Sequence, residues 1–580
     1  MRLHHRFLLF FFLLLSLSNA APKVNKKHIT KIARDLSEAK RLKQPISCVG
    51  CIALAAPLAT IAKLTPTEGI ILWFAKMICS INQPMEVCDG ITQQFRGEFF
   101  YVFRRLANEP SKICAALIPG CVDPSDPDGE GWNIPLPPLP RSLPSPSSSS
   151  SSYSSISPPN VLKVLQITDI HIDFHYQPGS EAECSDPVCC RGKNSRNWGN
   201  PSVSAGFWGT IGKCDIPYRT MENMLKHISD TQHVDYIMIG GDIIDHYDWK
   251  YSWEETLEVL QNVSTLFKNH FPTTPIYWAL GNHEGVPVNS FAPHSVNEQF
   301  WPVHLYDQLT EMNKPWIKED GDNSSRFRGS WSTLVTDRLR LISINTGFCI
   351  NTNFFLYLNQ SDPDGTMTWF VDQLTKAELL GENVHVLAHI PPGYYDCLEG
   401  WSRNYYRVIQ RFSSIITGQF FGHVHYDYFT MFYEDMNDVT SEPIGVAYVS
   451  PSASTFDYLN PGYRVYTLDA ENTYRIIDHD NYFADLSLVD ENTEPEWKLL
   501  YSARKEYNMT DLSPKSWNKV ADNIFTNATL TDRFFQLAYR TEIPRCDTAC
   551  RHYQLCLLRS GHHNDDLYCP SNHLETNRVY

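Results

Sequence analysis

The chain has 580 residues, of which 42% are hydrophobic and 20% are charged, so we expect several folded domains and no wholesale disorder. The formal net charge is -16 with histidine neutral. This charge argues against a protein that binds nucleic acid by neutralising phosphates. The 21 histidines would gain charge in an acidic compartment, where the net negative charge would be smaller.

The first twenty residues have the order typical of a secretory signal. Arg2 and Arg6 flank the start of an apolar run over residues 7–15, and the small residues Ser18 and Ala20 follow. We expect a signal peptide over residues 1–20, with cleavage after Ala20. The alternative, a membrane anchor, is disfavoured because the apolar run is short for a bilayer span. The mature protein is expected to be soluble and either secreted or lysosomal.

Cysteines and glycosylation sequences agree with that route. The 16 cysteines are an even number, which suits disulfides in an oxidising lumen. Potential glycan sites of the N-x-S/T type occur at Asn262, Asn323, Asn359, Asn508 and Asn527.

The first cysteine group lies in a region, residues 44–125, that we predict to be helical. Cys48 and Cys51 would share one helix face, and Cys114 and Cys121 are two helical turns apart. A zinc site at Cys48 and Cys51 is disfavoured because no second close pair accompanies them. The Pro- and Ser-rich segment 126–160 follows, and it predicts a semi-extended linker.

The six cysteines of this region, in this order, resemble those of a saposin-B type domain. The resemblance implies that the region binds lipid and that its disulfides are nested. Counting its charged side chains from residue 63 to residue 112 leaves it nearly balanced, so membrane contact would use apolar faces more than a basic patch. The implied pairs are Cys48–Cys121, Cys51–Cys114 and Cys79–Cys88.

Beyond the linker, five short apolar runs each end in residues that can bind metal. Ligands of α/β folds bind at the carboxyl ends of strands, and glycines before several of these residues permit sharp turns. Carboxylate, imidazole and amide oxygen suit a pair of divalent ions such as zinc. One such element alone is usually only a turn, but five in succession predict a metal centre. The runs are 161–167 before Asp169 and His171, 236–239 before Asp242, 275–280 before Asn282 and His283, 384–387 before His389, and 420–421 before His423 and His425.

This order of residues resembles the calcineurin-like metallophosphoesterase superfamily. The resemblance implies an α/β fold, with a catalytic β-sandwich flanked by helices over 161–470 and a mostly helical region over 471–580 that packs on it. It also implies two Zn²⁺ ions, a metal-bridging hydroxide that attacks phosphorus, His283 as the proton donor to the leaving group, and His246 assisting it. The implied ligands are Asp169, His171 and His425 for one ion, Asn282, His389 and His423 for the other, and Asp242 bridging both.

Further details resemble the acid sphingomyelinase family within that superfamily. Asp245 stands where purple acid phosphatases have an iron-binding tyrosine, which disfavours such iron. The segments 241–246, 281–284 and 389–393 match the family, and the resemblance runs from about residue 45 to about residue 570. It implies five more disulfides: Cys184–Cys189, Cys190–Cys214, Cys349–Cys397, Cys546–Cys550 and Cys556–Cys569.

The function implied is hydrolysis of sphingomyelin to ceramide and phosphocholine by a monomer docked on a membrane through the saposin domain. Two alternatives stay open. The same site could act on nucleotide diesters or on phosphomonoesters, because the metal ligands act on phosphorus and not on the headgroup. A lipid-binding or lipid-transfer protein with an inactive catalytic domain is the other, and the complete set of competent ligand residues argues against it.

Overall fold

The computed structural model describes residues 68–106, 109, 111–112, 132–139, 160–192, 201–438, 440–541 and 546–563. The predicted signal peptide, the serine run of the linker and the pairs Cys48–Cys121 and Cys51–Cys114 lie outside these residues. Within the described ranges, no helix is long and apolar enough to cross a membrane.

Three helices form the described part of the N-terminal region, as the sequence predicts. They are α1 (Glu68–Cys79), α2 (Met85–Gln94) and α3 (Arg96–Leu106). The Cys79–Cys88 disulfide joins α1 to α2. Val87 and Ile91 are buried four residues apart on α2, which gives that helix one apolar face toward the rest of the protein.

The segment 132–139 lies in the predicted linker, has no regular secondary structure and packs on the catalytic domain. Ile134 is only 4% exposed, and its N–H donates to Asn404 Oδ1 over 2.7 Å. Arg411 donates to the carbonyl of Pro137 over 2.7 Å. Asparagine and arginine side chains of the catalytic domain thus pair with backbone groups of this stretch, whose polar groups would otherwise lack partners.

Two six-stranded sheets carry the catalytic domain, in the orders β14-β13-β12-β1-β4-β5 and β10-β11-β9-β8-β7-β6. Strands β1, β4 and β5 run parallel, as do β7, β8, β9 and β11. The remaining pairs in these sheets are antiparallel. The strands are β1 (Val161–Ile167), β2 (Ile172–Asp173), β3 (Ile216–Pro217), β4 (Tyr236–Ile239), β5 (Ile276–Trp278), β6 (Trp331–Leu334), β7 (Leu339–Ile344), β8 (Asn383–Ala388), β9 (Ile416–Phe421), β10 (Tyr428–Tyr433), β11 (Pro443–Val449), β12 (Gly462–Asp469), β13 (Ile476–Phe483) and β14 (Lys498–Ser502).

The two sheets pack face to face, with apolar side chains of their strands between them. Val164, Leu165 and Ile167 of β1 have no exposed surface, and Gln166 Nε2 donates across the sandwich to the carbonyl of Phe421 over 3.0 Å. This packing places the carboxyl ends of β1 and β9 next to each other. Helices cover the outer faces: α4 (Tyr218–Thr231), α5 (Trp253–His270), α6 (Val303–Asn313), α7 (Glu319–Arg328), α8 (Thr366–Leu380) and α9 (Glu399–Phe412).

The region from residue 471 is mostly helical where it is described, but it begins with two strands. Because β12 turns back into an antiparallel hairpin with β13, strands β13 and β14 extend the first sheet. The helices that follow are α10 (Ala503–Glu506), α11 (Pro514–Thr526), α12 (Ala528–Tyr539) and α13 (Thr548–Leu557).

Five of the eight implied disulfides are present in the described residues. Cys556 is also disulfide-bonded, and Cys569 lies outside the described part. No cysteine that the structure describes is free. The five asparagines of the predicted glycan sites are all exposed, and their modification stays a prediction. The bonds present are Cys79–Cys88, Cys184–Cys189, Cys190–Cys214, Cys349–Cys397 and Cys546–Cys550.

Candidate metal centre

All seven predicted ligands lie together at the carboxyl ends of β1, β4, β5, β8 and β9, and each is less than 10% exposed. The first group contains Asp169, His171 and His425. The Nε2 atoms of His171 and His425 are 3.1 Å apart. His425 Nε2 lies 3.6 Å from Asp169 Oδ1.

The second group contains Asp242, His389 and His423, and Asn282 joins it through its amide oxygen. Asn282 Oδ1 lies 3.1 Å from His389 Nε2 and 2.8 Å from His423 Nδ1. Asp242 Oδ2 is 3.0 Å from His389 Nε2 and 3.6 Å from His171 Nε2. Asp242 therefore stands between the two groups, where a bridging ligand belongs.

These donors fit divalent cations. Ligand atoms about 2.0–2.2 Å from one ion lie about 3–4 Å from each other, and the distances above fall in or near that range. Among the described side chains, the buried Nδ1 of His425 has no hydrogen-bond partner. Two imidazole nitrogens that face each other in a buried site are an arrangement that suits a shared cation.

The backbone that presents the ligands is left-handed at five of them. The φ angles are 51° at Asp169, 43° at His171, 54° at Asp242, 75° at His423 and 66° at His425. Left-handed φ is uncommon outside glycine and concentrates at functional sites. The sequence predicted turns here from the glycines, and it gave no signal that the ligand residues themselves would adopt this conformation.

Glu284 ties two ligand loops together and was assigned no role from the sequence. Its buried carboxylate accepts the backbone N–H groups of Asp242, Ile243 and Gly281 over 3.0, 2.6 and 2.6 Å. A Cβ at Gly281 would lie 2.1 Å from Asp242 Oδ1, so only glycine lets the two loops approach this closely.

His283 lies beside the metal centre and is held on one side of its ring. Its Nδ1 is 2.8 Å from the hydroxyl of Tyr251 and 3.3 Å from Asp248 Oδ1. Burial lowers the pKa of His283, but Asp242 and Asp248 outweigh it and raise that pKa to about 10. Tyr251 and Asp248 thus occupy the Nδ1 side of the ring, and its Nε2 stays available to a neighbour.

His246 lies in the same cleft, but its surroundings shift its pKa in the opposite direction. Its ring stacks on His171 at 3.8 Å and on Phe456 at 3.9 Å, and burial, followed by the charge of His171, holds its pKa well below the usual range. Its Nδ1 lies 2.7 Å from the buried Oδ1 of Asp215. The two predicted catalytic histidines lie close together, with ring centroids 4.7 Å apart, and their surroundings shift their pKa values in opposite directions.

The acidic ligands also differ in pKa. Burial raises the pKa of Asp169 to about 6, and the charge of His389 opposes only part of this effect. Burial acts on Asp242 in the same direction, but His389 and His283 outweigh it and hold the pKa of Asp242 well below its usual range. The surroundings of the two carboxyl groups thus shift their pKa values in opposite directions.

Helix α2 and the residue after α12 also reach the surroundings of this centre. Gln94 Nε2 of α2 donates to the carbonyl of Tyr251 over 2.7 Å. Arg540, after α12, donates to the carbonyls of Asn460 over 2.5 Å and of His425 over 3.2 Å. These contacts join distant parts of the chain, and no sequence pattern predicted them.

Comparison with known proteins agrees with this geometry. A family model described as calcineurin-like phosphoesterase matches residues 162–427, and one described as acid sphingomyelin phosphodiesterase C-terminal region matches residues 437–571. Sphingomyelin phosphodiesterase 1 of Caenorhabditis elegans is 54% identical over 531 residues, which cover 91% of this chain and 93% of the relative. Sphingomyelin phosphodiesterase of Homo sapiens is 34% identical over 535 residues, which cover 90% of this chain and 83% of the relative. The chain therefore belongs to the sphingomyelin phosphodiesterase family, and its calcineurin-like phosphoesterase domain carries a divalent-metal site.

Proposed function

We propose that this chain hydrolyses sphingomyelin to ceramide and phosphocholine at a membrane surface. The observation that carries the proposal is the pair of donor groups on either side of Asp242, with His246 and His283 in the same cleft. The names of the relatives, which match almost the whole chain, support the choice of substrate.

Two Zn²⁺ ions are the proposed cofactors. The donors are imidazole nitrogens, carboxylates and one amide oxygen, a set that suits zinc. Asp169, His171 and His425 would hold one ion, Asn282, His389 and His423 would hold the other, and Asp242 would touch both. When bound, two such ions lower the pKa of water and offset negative charge on the phosphoryl oxygens.

The protein's own part in the reaction is proton transfer and orientation. Because Tyr251 and Asp248 hold Nδ1 of His283, its Nε2–H can face the substrate. As the bond between phosphorus and the ceramide oxygen breaks, this proton passes to that oxygen. The oxygen of water forms the new bond to phosphorus and its proton passes to solvent. Asp215 holds His246 with its free nitrogen toward the same cleft.

The proposed membrane contact uses the N-terminal region. At the turn between α1 and α2, Ile81 is 49% exposed and Met85 is 51% exposed, an apolar pair that supports insertion into a lipid surface. Helices α2 and α3 pack beside the segment that holds His283, so a bilayer bound there would lie near the cleft. Secreted and lysosomal proteins are both made through the secretory route, whose oxidising lumen would allow the disulfides to form.

The test is release of phosphocholine from sphingomyelin vesicles at acidic pH. Wild-type protein and the control Asp230→Asn, whose carboxylate is exposed and pairs only with Lys226, should release it. Asp242→Asn should lose at least about 100-fold in kcat because the carboxylate shared by both donor groups is gone.

Two outcomes would contradict the proposal. No release by folded, zinc-replete wild type would reject the substrate and direct the assay to nucleotide diesters. Full activity in Asp242→Asn would reject the metal centre as the site of the reaction.

A further inference from the structure

One histidine of the metal centre is supported differently from two others. His171 and His389 each place Nδ1 2.7 Å from a backbone carbonyl, that of Ile244 and that of Gly240. In both, Nε2 then faces the other ligands. His423 is reversed, because its Nδ1 lies 2.8 Å from Asn282 Oδ1, while its Nε2 lies 3.1 Å from the carboxylate Oδ2 of Asp396.

Asp396 is fixed in place by its neighbours. Its carbonyl accepts the N–H of Asn351 over 2.7 Å, and the next residue, Cys397, is bonded to Cys349. Its side chain is 14% exposed, and the ring of Tyr394 packs edge to face on His423 at 5.6 Å. With its backbone held at these points, Asp396 keeps its carboxylate beside the imidazole of His423 and can set the orientation of that ring.

The position of Asp396 separates it from the ligands themselves. The two nitrogens of an imidazole point in divergent directions, so a group bonded to Nε2 stands away from an ion bound at Nδ1. A carboxylate behind a metal-bound histidine fixes its tautomer and makes the ring a stronger donor than a carbonyl does.

We propose that Asp396 is a positioning residue of the metal centre: it accepts the Nε2–H of His423, which directs Nδ1 to the ion held with Asn282, His389 and Asp242. The inference rests on the metal centre of the proposed function and adds that this ion, and not the one at Asp169, His171 and His425, depends on Asp396. Removal of the carboxylate weakens retention of that ion about 10- to 100-fold.

The test compares zinc retention in wild type, Asp396→Asn, Asp396→Ala and the control Glu399→Gln. Glu399 lies three residues away, and its exposed carboxylate faces Arg403. Purified proteins are titrated with a chelator of known zinc affinity, and zinc per chain is measured by mass spectrometry. We expect both Asp396 variants to release one zinc ion at about 10- to 100-fold lower chelator strength and to keep the second, while the control matches wild type. Excess zinc should restore kcat in the Asp396 variants.

Equal retention of both ions in wild type and the Asp396 variants would overturn the inference. If the variants do not fold, a zinc-bound crystal structure of wild type decides: zinc on His423 Nε2 overturns it, and zinc on Nδ1 with Asp396 at Nε2 supports it. Sphingomyelin hydrolysis is assayed separately. If zinc retention contradicts the role of Asp396, the proposed substrate is unaffected. If the protein does not hydrolyse sphingomyelin, the zinc measurement still decides the role of Asp396.

Discussion

The N-terminal helices and the C-terminal region both reach the metal centre, but they do so with different chemistry. The C-terminal region brings one buried guanidinium, that of Arg540, to four acceptors, including the carbonyl of His425. The N-terminal helices bring close backbone approach at Gly90, one amide from Gln94 and a buried acid, Glu98. Arg540 therefore belongs to the polar interior, whereas the N-terminal helices meet the catalytic domain at an interface between two packed surfaces. Variants at these positions should therefore differ in size and in kind of effect.

Arg540→Met should have the largest effect. The buried carbonyls of Asn460 and His425 would lose their donor, and we expect a loss of about 3–5 kcal/mol in unfolding free energy. Arg533→Met is the control, because Arg533 is 42% exposed in its pair with Glu506 and should lose less than about 1 kcal/mol. Denaturant titration measures both. Equal losses of unfolding free energy in the two variants would contradict the expectation that the buried contact of Arg540 stabilises the fold more than a surface ion pair does.

Gly90→Ala tests the interface of the N-terminal helices. An added Cβ would lie 2.3 Å from the carbonyl oxygen of Trp249, and the shift this forces should weaken packing by about 1–3 kcal/mol. Gly97→Ala on α3 is the matched control, since its Cβ would meet only Phe300 at 3.6 Å. Limited proteolysis between the helices and the catalytic domain should be faster in Gly90→Ala alone. Similar rates in the two variants would contradict a tight approach at Gly90.

Glu98 should make the same interface sensitive to pH. Burial raises the pKa of Glu98 from 4.5 to about 8, while a hydrogen bond from Ser290 opposes this. The folded state therefore holds the proton more strongly than the unfolded chain does. Stability from this group is complete below about pH 4.5 and declines toward pH 8, by at most about 1.4 kcal/mol per pH unit.

Glu98→Gln should flatten that decline. Thermal midpoints of wild type and variant are compared at several pH values between 4.5 and 8. Glu86→Gln, which removes an exposed partner of Lys250 on the same surface, should keep the slope of wild type. An unchanged slope in Glu98→Gln would show that other groups cause it.

Tyr251→Phe should have the smallest effect and should act on the reaction more than on stability. The hydroxyl that touches His283 Nδ1 is lost, and one hydrogen bond corresponds to about a three- to tenfold fall in kcat with little change in KM. Steady-state kinetics on sphingomyelin vesicles measure it, with Tyr247→Phe on the same segment as the control. A rise in KM alone would place Tyr251 in substrate binding instead.

The metal ligands could be predicted because each follows a strand that the sequence marks clearly. Strand β1 has the predicted bounds, as does β4, and the run 275–280 contains β5. Parallel strands bring their carboxyl ends to one edge of a sheet, so local pattern was enough to collect Asp169 and Asp242 there.

The supporting residues could not be predicted because their partners are distant in sequence. Asp215 contacts His246 across 31 positions, and Arg540 contacts His425 across 115. The hydrophobic periodicity of a sequence does not predict contacts between such distant residues. Asp396 precedes a cysteine and resembles an ordinary loop acid until the fold brings His423 to it. Strands β13 and β14 were missed for a related reason, since only the pairing of β13 with β12 and of β14 with β13 shows that the first sheet continues past residue 470.

The left-handed backbone at five ligand residues has a consequence for the evolution of this site. Each such residue other than glycine carries about 1–3 kcal/mol of strain, which the rest of the protein must offset. Glycine or asparagine at His423 or His425 would relieve some of that strain and remove an imidazole from the centre. Selection for stability alone would therefore erode the site, and its persistence requires continued selection for activity.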